Sequence, residues 1–337
     1  MRRVCILLTN RVCGAIHGCC FFFSACGVLE STASMYWIRL LAAFAGAALV
    51  GAVPVKHTYS RVVVFGDSLV DNGNGTYLRL NDSWPADRAY YRGRFSNGIV
   101  WPEKLAELLD VPHVSDYAYG GATTNNTVAT GKSGANGNIT VPDVVHQVSK
   151  YLGSVDGHAS PDALYILSGG SNDLFFGIQK SLDVLGLAKD AVSTLYAEAK
   201  RLAAHGAKHF LFPTLPNPVK TPYMHHYGGL FSAGGAAFFT EHANKAIRSA
   251  VSALCAEGIN AKVFDLFGAS NYVREHASSY GIKNTRDACL VGVYKDEKDV
   301  KRHECSNPDE YLSWDLYHPT AHTHALYAEA AVRAVHA

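Results

Sequence analysis

VVVFGDSLVDNGN, residues 62–74, runs four apolar residues straight into Gly66-Asp67-Ser68 and then into a polar tail rich in Asn and Gly. A short apolar run bounded by turn residues predicts a buried strand. That strand ends on a small hydroxyl. Ser68 is either one residue of an ordinary turn or a nucleophile held on a strand-to-helix corner, and only the rest of the chain can supply the partners that separate the two readings.

Outward from this stretch, strand-like and helix-like pieces alternate. RVVVF (61–65), a weak strand near Val114 to Tyr117, ALYIL (163–167), KHFLFP (208–213) and AKVFDLF (261–267) read as strands. SNGIVWPEKLAELL reads as an amphipathic helix around Trp101, Leu105 and Leu108, and a second helix is expected from about Asp143 to Leu152. Leu187, Ala191, Val192, Leu195, Ala199 and Leu202 share one helical face. Phe239, Ala243, Ile247, Ala250 and Leu254 share another, and a closing helix follows Pro319. Strands alternating with helices imply right-handed crossovers, hence a mostly parallel central sheet covered on both faces. The expected fold class is α/β, a three-layer α/β/α sandwich. Ligands of such sheets bind beyond the carboxyl ends of the strands.

Four positions stand there or lead into the last helix. Ser68 follows the first strand, Gly121 of YAYGGATT the second, and Asn172 of LSGGSND the third, while Asp315 and His318 of WDLYHPTAH precede the closing helix. Each motif alone has a plain structural reading: a turn for Gly-Asp-Ser, a helix cap for Asn172-Asp173 or for Asp-x-x-His before Pro319. Together, in order and at strand ends, they fit one chemistry. A serine hydroxyl needs a base to take its proton. His318 can be that base, with Asp315 orienting the imidazole. The negative charge that attack builds on a carbonyl oxygen needs fixed donors. The backbone N–H groups of Ser68 and Gly121 and the side-chain amide of Asn172 are donors of that kind.

These blocks, FGDSL, YGGATT, GGSND and DLYHP, resemble the SGNH or GDSL hydrolase superfamily, over roughly residues 60 to 335. The resemblance implies an SGNH-hydrolase, flavodoxin-like sandwich. It also implies Ser68 as nucleophile, Gly121 and Asn172 as oxyanion donors, His318 as base and Asp315 as third member of the triad. DNGNGTY (71–77) and GRFSNG (93–98) look most like secreted fungal lipases, acylhydrolases and acetylesterases. The expected activity is ester hydrolysis through an acyl-serine, on lipid or other acyl esters, with removal of acetyl groups from plant-wall carbohydrate as the alternative. A non-catalytic carbohydrate- or surface-binding pseudoenzyme should lack a triad member, and none is missing. No metal or organic cofactor is implied; His225-His226, and His322 with His324, lack a companion carboxylate pattern.

The chain has 337 residues, 30 basic and 29 acidic, for a formal net charge of +1. That balance gives no case for nucleic acid as a partner. The substrate is expected to be a small-molecule, lipid or carbohydrate ester. Residues 35–52 have the layout of a secretory signal peptide: Arg39 after Met35, an apolar run from Leu40 to Val50, then Gly51 and Ala52. The run is short for a membrane span, so no stable span is expected in the mature form. Residues 1–34 carry five of the eight cysteines and are expected to be a wrongly extended start or an anchor. One hydrolase domain is expected over residues 57–337. Extracellular localisation also suits the sequons at Asn74, Asn81, Asn125 and Asn138. In that oxidising setting Cys289 and Cys305, which flank a polar segment, are expected to pair, for a stabilisation of roughly 3 kcal/mol. Cys255 falls in a helical pattern and is expected to be a buried small residue.

Overall fold

Val62 to Phe65 have no exposed surface because the strand that carries them, β1 (Arg61–Phe65), is the second of five in an all-parallel sheet. The computed structural model describes residues 59–178 and 182–337, all within a compact unit that runs from residue 57 to 337. The expectations for residues 1–34 and 35–52 lie outside the described residues. The other strands are β2 (Val114–Asp116), β3 (Ala163–Leu167), β4 (His209–Pro213) and β5 (Asn260–Phe264). Their spatial order is β2-β1-β3-β4-β5, and Val62 lies opposite Val114 on one side and Leu164 on the other.

Side chains of successive strand residues point to opposite faces, and both faces are covered. Val63, Phe65, Tyr165, Leu167 and Phe210 belong to one apolar cluster. It includes residues of α2 (Val144–Ser154), α4 (Val184–Ala204) and α5 (Leu230–Ala256). Val62, Val64, Leu164, Ile166 and Leu211 belong to the other. There they meet α1 (Trp101–Leu108), α6 (Leu266–Glu275) and α7 (Ala321–His336). The result is the three-layer sandwich. A short helix, α3 (Ser171–Gly177), follows β3. Connections leave β1 toward β2 on one side, while β3 stands on the other, so a crevice opens at the carboxyl ends of β1 and β3.

Three readings are corrected by the structure. The strand expected over 261–267 stops at Phe264, and Asp265 accepts the Gly268 N–H at 3.2 Å to cap α6. Leu108 is 44% exposed: the inward positions of α1 are Trp101 and Leu105, and the same spacing of four continues to the buried Leu109 just past its end. Cys255 is exposed, its thiol donating to the Ala261 carbonyl at 3.2 Å near the end of α5. Cys289 and Cys305 are joined, with an S–S distance of 1.97 Å. Asn74, Asn81 and Asn138 are exposed and Asn125 is half-buried. Among the described residues no helix is long and apolar enough to cross a membrane.

One contact between α1 and α7 carries a pH dependence. His324 is 1% exposed, and its Nδ1 accepts the Trp101 N–H at 3.2 Å. Burial, reinforced by the charge of His318, pushes its pKa down to about 3. The folded value lies below the unfolded one, near 6.5. The stability contributed by the neutral ring is therefore complete above that unfolded value and is lost as pH falls through the folded one. Asparagine in place of His324 can keep the acceptor for Trp101 but takes up no proton. Thermal melts of His324→Asn should show a smaller fall in Tm between pH 7 and pH 4 than the wild type; equal falls would remove the argument.

Candidate active site

The corner after β1 is shaped by glycine. Gly66 has φ +156°, and a Cβ there would lie 2.7 Å from Val70 Cγ2 and 2.8 Å from the Ser168 carbonyl. Gln147 of α2 receives the Gly66 N–H at 2.7 Å and donates back to its carbonyl at 2.9 Å. Asp67 accepts the Leu69 N–H at 3.1 Å, the local turn that this residue type favours. Ser68 is left half-exposed, its hydroxyl facing the crevice at the sheet end.

His318 meets it there. Its Nε2 stands 2.8 Å from Ser68 Oγ, although the two residues are 250 positions apart. On the other side of the ring, Nδ1 lies 2.8 and 2.9 Å from the two oxygens of Asp315. The three-residue spacing makes this possible. Asp315 Oδ1 also accepts the backbone N–H groups of Tyr317 and His318, both at 2.8 Å, which folds the turn so that the ring returns to the carboxylate. Asp315 is fully buried. Burial pushes its pKa up, but the His318 charge and the hydrogen bonds from His318, Tyr90 and Tyr317 outweigh that and hold it below the ordinary value.

Gly121 and Asn172 line the same cavity as Ser68 and His318. Gly121 has φ +88°, and a Cβ there would strike the Lys132 carbonyl, so no other residue fits the loop as it stands. Asn172 lies inside α3 rather than at its cap, which is Gly170. Its amide gives one hydrogen to the Ala122 carbonyl at 2.9 Å and carries a second N–H. Neither Asp315 nor His318 caps the last helix: Thr320 accepts the Thr323 N–H at the start of α7.

Several residues support the site in ways that the sequence reading does not assign to them. Asp71, fully buried, accepts the N–H groups of Gly73 at 2.9 Å, Thr76 at 3.0 Å and Gly120 at 2.8 Å. It thereby ties the loop after Ser68 to the loop before Gly121. Burial pushes its carboxyl above the ordinary value, against the pull of those N–H groups. Asp173, beside Asn172, accepts both the N–H and the hydroxyl of Thr124; burial raises its pKa to about 6. The GRFSNG segment braces the last turn. Phe95 packs on the His318 ring at 5.1 Å, Ser96 donates to the Pro319 carbonyl at 2.9 Å, and Asn97 accepts the Ala321 N–H at 2.7 Å. In the sequence, DNGNGTY and GRFSNG stand out by resemblance without a structural role, and the glycine-rich run after Asp71 offers a carboxylate many free N–H groups.

The cavity over Ser68 holds about 450 Å³. Trp84, Phe95, Phe175, Phe176, Tyr223 and Tyr317 line it. Tyr223 and Tyr317 stack at 4.9 Å, and Phe175 meets each of them edge-on at 6.0 Å. His226 bonds Asp287 at 3.1 Å and His322 bonds the Tyr280 carbonyl at 3.0 Å. Among the described residues no group of three or more potential ligands comes together.

A hydroxyl, an imidazole and a buried carboxylate in one hydrogen-bonded chain, at the switch point of a doubly wound sheet, define a hydrolase of the serine type. The family model for GDSL-like Lipase/Acylhydrolase matches residues 62–331, and the chain belongs to that family. It is 29% identical over 281 residues to a thermolabile hemolysin of Vibrio parahaemolyticus, a match covering 80% of this chain and 62% of the hemolysin. The chain thus spans less than two thirds of that relative's length. It is 27% identical to a phosphatidylcholine-sterol acyltransferase of Aeromonas hydrophila, covering 84% of this chain and 92% of that protein. Among solved structures, an acetylxylan esterase of Geobacillus stearothermophilus matches at 14% identity and a TM-score of 0.44, covering 82% of this chain and 94% of the other. The protein is a serine ester hydrolase.

Proposed function

We propose that the protein is a secreted hydrolase of lipid acyl esters that works through an acyl-serine at Ser68. Ser68 Oγ attacks the ester carbonyl while His318 Nε2 takes its proton, and Asp315 holds the resulting imidazolium. The carbonyl oxygen becomes an oxyanion, held by the N–H groups of Ser68 and Gly121 and the amide of Asn172. The C–O bond to the alcohol then breaks, and His318 returns the proton to that alcohol. Water, deprotonated by His318, attacks the acyl-serine; the acid leaves and Ser68 recovers its hydrogen.

The observation that carries the lipid reading is the cavity of about 450 Å³ walled by aromatic rings beside Ser68, far more space than an acetyl group fills. The name of the Aeromonas relative, a phosphatidylcholine-sterol acyltransferase, agrees with a lipid substrate. Secretion is supported by the Cys289–Cys305 bridge, by the exposed sequon asparagines and by the signal-like stretch at 35–52.

The test has two arms. A fluorophosphonate should label the peptide containing Ser68. With nitrophenyl esters, kcat/KM should rise at least about tenfold from acetate to octanoate, since each buried methylene contributes up to about 0.8 kcal/mol. Preference for acetate would overturn the lipid reading. Failure to label Ser68 would overturn the acyl-serine.

A further inference from the structure

Asp315 carries more hydrogen bonds than its own turn requires. Oδ1 is occupied by the N–H groups of Tyr317 and His318, which any Asp-x-x-His turn of this shape would supply. Oδ2 receives two phenols from distant parts of the chain. Tyr90 donates to it at 2.7 Å across 225 residues, and Tyr294 at 2.9 Å across 21. The two phenol oxygens are 3.4 Å apart, and Tyr294 Oη is 3.4 Å from His318 Nδ1. Tyr90 packs in a small buried cluster with Cys289, Leu290 and Trp314. Tyr294 rides on the segment closed by the Cys289–Cys305 bridge. The charge on this carboxylate is therefore shared with two loops outside the turn.

We propose that Tyr90 and Tyr294 are positioning residues that act through Asp315, fixing its carboxylate by Oδ2 and moderating its pull on the His318 proton. The proposal rests on the triad roles given above. A neutral donor is well matched to that role, because it disperses the carboxylate's charge without competing for it as a cation would. Burial, with the charge of Asp315, pushes both phenols well above their ordinary pKa, so they remain donors at any working pH. The other titratable groups facing the Asp315–His318 pair are Tyr317, Asp67 and His324, and a Tyr90 substitution leaves all three in place.

The two tyrosines differ in one useful respect. Tyr294 lines the cavity and packs edge-on against Trp84 and Tyr317, at 5.9 and 5.1 Å, so its loss alters substrate binding as well. Tyr90 is not among the cavity-lining residues, and Tyr90→Phe removes only a hydroxyl whose contacts are Asp315 Oδ2 at 2.7 Å and, more distantly, Tyr294 Oη at 3.4 Å.

The test compares Tyr90→Phe, Tyr294→Phe and the double variant with the wild type across pH. With one donor gone, Asp315 holds more of its charge and binds the imidazolium proton more tightly. The acid limb of the kcat/KM profile should move up by about half a pH unit in each single variant and by about one unit in the double. Tyr90→Phe should lower kcat about three- to tenfold with KM unchanged, and Tyr294→Phe should change KM too. An acid limb that stays at the wild-type pH in the folded variants overturns the proposal. If Tyr90→Phe does not fold, Tyr294→Phe carries the same readout. Ser68→Ala separates the two levels: full activity there defeats the acyl-serine reading, whereas a dead Ser68→Ala with unmoved tyrosine profiles defeats only this one.

Discussion

Ser68→Ala should lower kcat by about five to six orders of magnitude on a nitrophenyl octanoate, with Tm nearly unchanged. The hydroxyl is 2.8 Å from His318 Nε2 and is half-exposed to the cavity, so alanine leaves the packing intact and the imidazole nitrogen accessible to water. The residual rate comes from the oxyanion donors and binding alone. Because the hydroxyl and the imidazole act as one unit, Ser68→Ala combined with His318→Ala should be no slower than either single variant. Multiplied losses in the double variant would mean that the two side chains work separately. A Ser68→Ala enzyme keeping a tenth of the wild-type rate would rule out this nucleophile.

Asp315→Asn should lower kcat by about four orders of magnitude and, unlike the serine change, should also cost stability. All the groups around Asp315 are donors: two backbone N–H groups, two phenols and the ring nitrogen. An asparagine amide turns one acceptor into a donor, which either faces the phenols or forces the His318 proton onto Nε2. In the second case the imidazole has nothing with which to accept the Ser68 proton. Leaving a buried donor without its acceptor costs about 1–3 kcal/mol. The pH signs follow from the lowered pKa of Asp315. Its contribution to stability is present above the unfolded value of 3.8 and is lost as pH falls through the lower folded value. Asp315→Asn should therefore melt lower than the wild type at pH 7, with the gap narrowing in acid. A constant gap down to pH 2 would show that the carboxylate is not held ionised.

Much of the architecture could be read along the chain. The apolar runs at 61–65 and 163–167 are strands with fully buried cores, and the inward face of α4 holds the residues that periodicity names. Local pattern failed where two elements share one apolar run. AKVFDLF continues from strand into helix without a change of hydrophobicity, and the switch rests on one capping carboxylate, Asp265. In α5, Cys255 follows the fully buried Leu254 but is turned about 100° from it around the helix axis, off the inward stripe, and so is exposed.

In the site, the division falls along sequence distance. Hydroxyl, imidazole and carboxylate types after strand ends are visible in a linear string, because strand periodicity and turn chemistry are local and the parallel sheet sends all its carboxyl ends to one rim. The contacts of Asp71 with Gly120, of Asp173 with Thr124, and of Tyr90 with Asp315 join residues 49 to 225 positions apart. No short-range pattern encodes them: each needs the sheet order, which brings β1, β2 and β3 side by side, and a buried environment in which an unpaired carboxylate would be costly. The choice of reaction was written in the residue types, and the rigidity and electrostatics that could make it fast arise only when the packed loops close around them.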